Sequence, residues 1–249
     1  MAGVELAPGG HVGCVYDTAA ERRKRLVDWA RAGLTRDERV VHIEPDGSGS
    51  LPRHLQQAGV DLRDATGRPR VNVVATVQQA VRLAAEAGRR VRIAGDGDVH
   101  AQAGSEPQLD ALAAAGLASV LCLFPRSALD PRAGGRLARD HPCGLRDAGV
   151  ELVRTGSHIR VHGEVDRTNA HLLACVLDAA EGIEGGAAVT VDLGDLSFID
   201  LGGIRALIET ATRMTPGRRL KVSPPSRAFL RVVRLAGADR VENLDWCTR

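Results

Sequence analysis

The sequence predicts an α/β protein, with a mainly parallel sheet flanked by helices in its first half and a mixed sheet with helices in its second. Three observations carry this. From His11 to Phe124, short apolar runs alternate with segments of helical spacing. From Val150, two apolar runs meet at Thr155-Gly156-Ser157, a hairpin turn, so the second half opens on an antiparallel pair. From Val189 to Leu207, a strand passes through Asp200-Leu201-Gly202-Gly203 into a helix with apolar residues at Ile204, Leu207, Ile208 and Ala211.

The elements follow in order. Residues 1 to 10 read as a tail closed by Pro8-Gly9-Gly10. His11 to Tyr16 is a short buried strand. Thr18 caps the next helix, with Glu21 placed to complete a capping box, and Leu26, Val27, Trp29, Ala30 and Leu34 give it an apolar face. Arg39–Ile43 is a second strand, closed by Glu44-Pro45, and Ser50-Leu-Pro starts a helix to about Ala58. Pro69–Val74, Arg90–Ala94 and Ser119–Phe124 are further strands, separated by helices over Thr76–Ala87 and Ser105–Ala115. A boundary near Cys143–Gly149 divides the chain into segments 1–143 and 144–249. Beyond it come strands at Val150–Val153 and His158–Val161, and a helix over Asn169–Ala180 with Asp166 and Thr168 at its cap. Val189, Val191 and Leu193 form a strand that Gly194 and Asp195 break. Asp200 caps the helix after it, and Ser226 caps a last helix over Arg227–Leu235.

Composition narrows the function classes. Lys and Arg number 33 against 31 Asp and Glu, which leaves no basic excess for a nucleic-acid footprint. The run Glu21-Arg-Arg-Lys-Arg25 lies on a helix and reads as a solvated face. The 5 cysteines are odd in number and without a Cys-x-x-Cys pair, which fits a reduced cytoplasm. We read no signal peptide and no membrane span, and expect a cytoplasmic protein.

Motifs argue against catalysis. A phosphate-cradling loop needs Gly-x-x-x-x-Gly-Lys-Ser/Thr after a strand. The first strand is followed by Tyr16-Asp17-Thr18-Ala19-Ala20-Glu21, with no glycine, no lysine and two carboxylates where an anion would sit. Asp96, Asp98 and His100 follow the fourth strand at the edge where α/β proteins bind ligands. They lack a spaced metal motif and read as a turn, so neither a metal site nor a cofactor is expected. Cys122 reads as core, and no catalytic residue is expected.

The stretch around Asp200 resembles the signature of STAS domains, the fold of bacterial anti-sigma factor antagonists. His158-Ile-Arg-Val-His-Gly-Glu-Val-Asp166 resembles that family's second strand and its Gly-Glu-hydrophobic-Asp signature, and the likeness runs from about residue 148 to 245. It implies a partner-binding surface at Asp166, Asp200, Leu201, Gly202, Gly203 and Ile204. The implied partner is an anti-sigma factor or GHKL-type kinase. The family carries Asp-Ser-Ser-Gly, whose second serine is phosphorylated. Here Leu201 and Gly202 replace the serines, so no phosphate switch operates at 202. Segment 11–143 resembles the MEDS sensory domain, a relative of RecA-like folds, through His11-Val-Gly-Cys-Val-Tyr-Asp17, Cys122-Leu-Phe-Pro-Arg126 and His141-Pro142. The resemblance implies a small-molecule site drawing on His11, Tyr16, Asp96, Asp98, Cys122 and His141. Together the two imply a ligand-controlled partner-switching regulator, capable of forming a homo-oligomer and without nucleic-acid or membrane partners. A STAS scaffold subunit and a nucleotide-binding enzyme with a degenerate RecA-like domain are the alternatives.

Overall fold

The structure, a computed structural model, describes residues 10–46, 49–97, 106–129, 131–183, 188–224, 226–235 and 237–247. The expected tail and the stretch holding Asp98 and His100 lie outside these residues. The chain divides into two compact units, Met1–Ala128 and Leu129–Arg249.

The first unit alternates strand and helix as the periodicity predicts. Its elements are β1 (His11–Tyr16), α1 (Ala19–Thr35), β2 (Arg39–Ile43), α2 (Ser50–Gln57), β3 (Val71–Val74), α3 (Val77–Glu86), β4 (Val91–Asp96), α4 (Glu106–Ala114) and β5 (Ala118–Pro125). All strand pairs are parallel, in the order β3-β2-β4-β5-β1. Helices α1 and α2 cover one face, where Leu26, Trp29, Leu51 and Leu55 pack on Val12, Val40, Ala94 and Leu121. Helices α3 and α4 cover the other, where Ala80, Leu109 and Leu112 pack on Val41, Ile93, Val120 and Cys122. Strand β2 therefore leads to a helix on one face, and its neighbour β4 to a helix on the other. Their carboxyl ends meet where α/β sheets form a ligand crevice. Strand β4 runs on to Asp96, so that carboxylate stands at the strand's end, not in a following turn.

The second unit holds α5 (Pro131–Asp140), β6 (Gly144–Arg146), β7 (Val150–Thr155), β8 (His158–Val165), α6 (Ala170–Glu181), β9 (Ala188–Ile199), α7 (Leu201–Arg213), β10 (Arg219–Ser223), α8 (Arg227–Leu235) and β11 (Leu244–Trp246). Its sheet order is β11-β10-β9-β8-β7-β6, antiparallel from β6 to β8 and parallel beyond. The hairpin turns at Gly156, whose φ of 59° suits glycine. Three expectations change. Helix α5 and strand β6 were not foreseen. Gly194 and Asp195 do not break β9; the strand continues, and its register against β8 shifts instead, as at a bulge. The cap of α6 falls on Asn169 and not on Asp166 or Thr168.

Candidate functional site

Two places gather chemistry in the first unit. At the carboxyl edge of the sheet, Arg22 of α1 reaches Asp96 with two parallel hydrogen bonds of 2.8 Å each. This bidentate pairing is the strong form of the arginine–carboxylate contact. The hydrogen bond to Asp96 holds the guanidinium proton more tightly than usual. Beside it, Arg126 donates to Asp17 at 2.8 Å. Glu44 accepts from the backbone of Gly49 at 2.7 Å and of Ser50 at 3.2 Å, and from the Ser50 hydroxyl, so it serves the start of α2. His42, one strand period earlier, is fully buried, and neither of its ring nitrogens has a hydrogen-bond partner among the described residues. Burial pushes its pKa down, against the opposing pull of Glu44, so the ring is neutral.

The second place lies inside the unit, under α4. The β1–β5 register pairs Gly13 with Cys122, which puts His11 and Cys122 diagonally on one face. Helix α4 carries Glu106 and Asp110 one turn apart over that face. The ring of His11 is fully buried; its Nδ1 lies 2.6 Å from Asp110 and its Nε2 lies 3.2 Å from Cys122 Sγ and 3.3 Å from Glu106. Burial, aided by the two carboxylates, pushes the Cys122 thiol well up, so it is no nucleophile.

In the second unit, the α7 start is built by Asp200. One carboxylate oxygen accepts from Gly203 N at 3.0 Å, and the other accepts from Arg167 N, in the β8–α6 loop, at 2.9 Å. That loop is held by Asp166, which accepts from the backbone and hydroxyl of Thr168 at 2.8 and 2.6 Å. The hydroxyl bond chiefly lowers the Asp166 pKa. Around this frame, Phe198 is 51% and Leu201 64% exposed, unusual for large apolar side chains.

A family model described as MEthanogen/methylotroph, DcmR Sensory domain (MEDS) matches residues 10–142, more than half of the chain. The chain belongs to the MEDS family. A second model, described as Mlab, STAS domain, matches residues 133–244, so the arrangement is an N-terminal MEDS domain and a C-terminal STAS domain. Among solved structures, the chain is similar to the crystal structure of an anti-sigma factor antagonist from Mycobacterium paratuberculosis. The two are 21% identical, the match covers 39% of this chain and 83% of that one, and the TM-score is 0.31. No curated protein matches the chain. A sensory domain joined to a STAS domain makes this MEDS protein a regulatory signalling protein.

The MEDS residues named from sequence do not form one group. Tyr16 and Asp96 stand at the carboxyl edge, whereas His11 begins β1, about 17 Å from Tyr16 along the strand. His11 and Cys122 come together, joined by Glu106 and Asp110, which the sequence did not single out. His141 lies in the second unit, buried, with Nδ1 2.7 Å from Leu137 O. Asp98 lies outside the described residues. Arg22 was read as part of a solvated face but turns to the sheet edge. His42 was read only as a strand residue; a histidine inside the apolar run Val40-Val41-His42-Ile43 was the available signal. In the STAS domain, Asp166, Asp200, Leu201 and Gly202 gather at one loop pair, while Gly203 and Ile204 are buried and hold the loop from beneath.

Proposed function

We infer that this MEDS–STAS protein is a cytoplasmic, non-enzymatic regulator that docks an anti-sigma factor or GHKL-type kinase through the α7 start of its STAS domain. Its MEDS domain controls that docking by binding a small ligand at the carboxyl edge of its sheet. The observation that carries the reading is the pair of exposed apolar side chains, Phe198 and Leu201, on either side of Asp200. An apolar anchor in a rigid frame is what a protein partner buries. Control falls to the ligand because Gly202 offers no hydroxyl for phosphate. The buried His42, whose ring nitrogens have no hydrogen-bond partner among the described residues, supports the ligand edge, since an unsatisfied polar group costs free energy that a bound molecule would recover. The absent phosphate loop and the protonated Cys122 support the non-enzymatic part.

The test is calorimetric titration of the full-length chain with each GHKL-type kinase encoded in its own genome. One kinase binds, and Leu201→Asp weakens it about 100-fold, the loss of a hot spot, without lowering Tm. Binding by none of the kinases, or equal binding by Leu201→Asp, overturns the docking site. For the sensor, adding a small-molecule extract of the host shifts the affinity, and His42→Phe removes the shift. An unchanged affinity overturns ligand control.

A further inference from the structure

We propose that His11, Glu106 and Cys122 bind a divalent transition-metal ion of the zinc class, with Asp110 orienting His11. One donor atom from each of the three lies within 4.8 Å of the others. The finer geometry fits a shared cation. Zinc stands about 2.0–2.1 Å from imidazole nitrogen, about 2.0–2.2 Å from carboxylate oxygen and about 2.3 Å from thiolate sulfur. At tetrahedral angles those bonds set nitrogen and oxygen about 3.3 Å apart, and nitrogen and sulfur about 3.5 Å apart. His11 Nε2 lies 3.3 Å from Glu106 Oε2 and 3.2 Å from Cys122 Sγ. Both distances from Nε2 are within about 0.3 Å of those that a shared ion sets.

The other side of the imidazole agrees. A metal-bound histidine commonly donates its second ring N–H to a carboxylate, which fixes the tautomer and turns the remaining lone pair toward the metal. Asp110 lies 2.6 Å from His11 Nδ1 and holds that place. With Nδ1–H directed at Asp110, the lone pair of Nε2 points at a carboxylate oxygen and a sulfur. In the free chain the Cys122 thiol proton lies between Sγ and Nε2; a bound ion would take that proton's place and draw the Glu106 oxygen to the same centre. Imidazole, thiolate and carboxylate together suit zinc or cobalt better than magnesium or calcium. On binding, Cys122 gives its thiol proton to solvent and its sulfur bonds the metal; no electron changes hands. The donors come from β1, β5 and α4, so the ion would tie that helix to the sheet it covers.

The test uses the full-length, tag-free chain purified without chelator. Elemental analysis finds about one zinc per chain. Replacing zinc by cobalt(II) gives the thiolate-to-cobalt charge-transfer absorption and intense visible bands of a tetrahedral site. Cys122→Ala abolishes the charge-transfer band, while Cys175→Ala leaves it unchanged. Asp110→Asn keeps the band and weakens zinc 10- to 100-fold, the range for loss of such an orienting carboxylate. If Cys122→Ala does not fold, Glu106→Gln serves in its place and weakens zinc binding. A chain that carries no metal, gains none on titration and shows no cobalt–thiolate band overturns the site. A band that survives Cys122→Ala overturns the ligand assignment.

Discussion

Two strand-to-helix junctions in this chain are capped alike and surrounded differently. After β1, Thr18 caps α1 by accepting from Glu21 N at 3.1 Å. After β9, Asp200 caps α7 by accepting from Gly203 N at 3.0 Å. Both present the free N–H groups that can draw an anion to a helix start. At the first, Glu21 closes back on Asp17 N at 3.0 Å, and Arg126 clamps the Asp17 carboxylate. The side chains there are turned onto the chain's own groups, and the negative charge of Glu21 repels phosphate. At the second, Phe198 and Leu201 face outward and Gly202 adds no side chain at all. The helix terminus is common to both, so the side chains around it decide whether the place is covered by the chain's own charges or left apolar and exposed.

The strongest way to break the second junction is to fill Gly203. A Cβ there would lie 2.6 Å from Ile199 Cγ1 and 2.7 Å from Val165 Cγ1. Gly203→Val overpacks the core and costs about 1–3 kcal/mol or more, read as a lowered denaturation midpoint, and partner binding falls with it. An unchanged midpoint would show that the loop can move away from the core.

Removing the two caps compares the junctions directly. Thr18→Ala and Asp200→Ala each remove a cap worth about 1 kcal/mol. Asp200 also holds Arg167 N, so its loss costs more than that of Thr18 and loosens the β8–α6 loop as well. Urea denaturation of the two variants checks this; equal losses would mean that the cross-loop bond adds nothing.

The comparison also shows what the sequence could reveal. The apolar runs of β1, β2 and β9 and the helical spacing of α1 and α7 were legible because period alone sets them. Helix α5 was not, because Pro131-Arg-Ala-Gly-Gly-Arg-Leu-Ala-Arg-Asp140 holds two glycines and little apolar surface, a poor helix by propensity. Packing overrides propensity there. A Cβ on Gly134 would lie 2.8 Å from Cys175 Sγ, so the glycine lets α5 approach α6 closely. The Asp200 cap was legible as a local signal. The cluster under α4 was not, since His11 and Cys122 stand 111 residues apart and Glu106 and Asp110 read like any acidic helix face.

The carboxyl edge of the first unit's sheet differs from both junctions because a titratable group, His42, is buried there. His42 has its pKa lowered by burial, so the unfolded chain takes up a proton more readily than the folded one. Stability from keeping the ring neutral is therefore complete above the unfolded value of about 6.5 and declines as pH falls below it, toward the lower folded value. The midpoint of the natural chain drops across that acidic window, and His42→Phe flattens the drop. An identical slope in the variant would remove His42 as the cause.

The gentlest change tests the open junction most sharply. A Cβ at Gly202 would meet Asp200 Oδ1 at 3.0 Å, with its next neighbours, Ala170 Cβ and Arg167 Cα, at 3.7 and 3.8 Å. Only the carboxylate oxygen must yield, and only by a few tenths of an ångström. Gly202→Ser also replaces a glycine in the first turn of a helix, which recovers part of the roughly 1 kcal/mol that glycine costs there. The two effects offset, and the denaturation midpoint moves by less than about 0.5 kcal/mol. The function should change far more than the stability. The new hydroxyl stands in the first turn of α7, on the Cβ that faces Asp200, Arg167 and Ala170, where a phosphate would add about two negative charges to the proposed docking surface. Incubated with the kinase that binds the natural chain, and with ATP, the serine variant gains phosphate at position 202 and releases its partner; the natural chain does neither. If the variant is phosphorylated yet stays bound, the docking surface does not include the α7 start, and the exposed Phe198 and Leu201 would have to serve another contact.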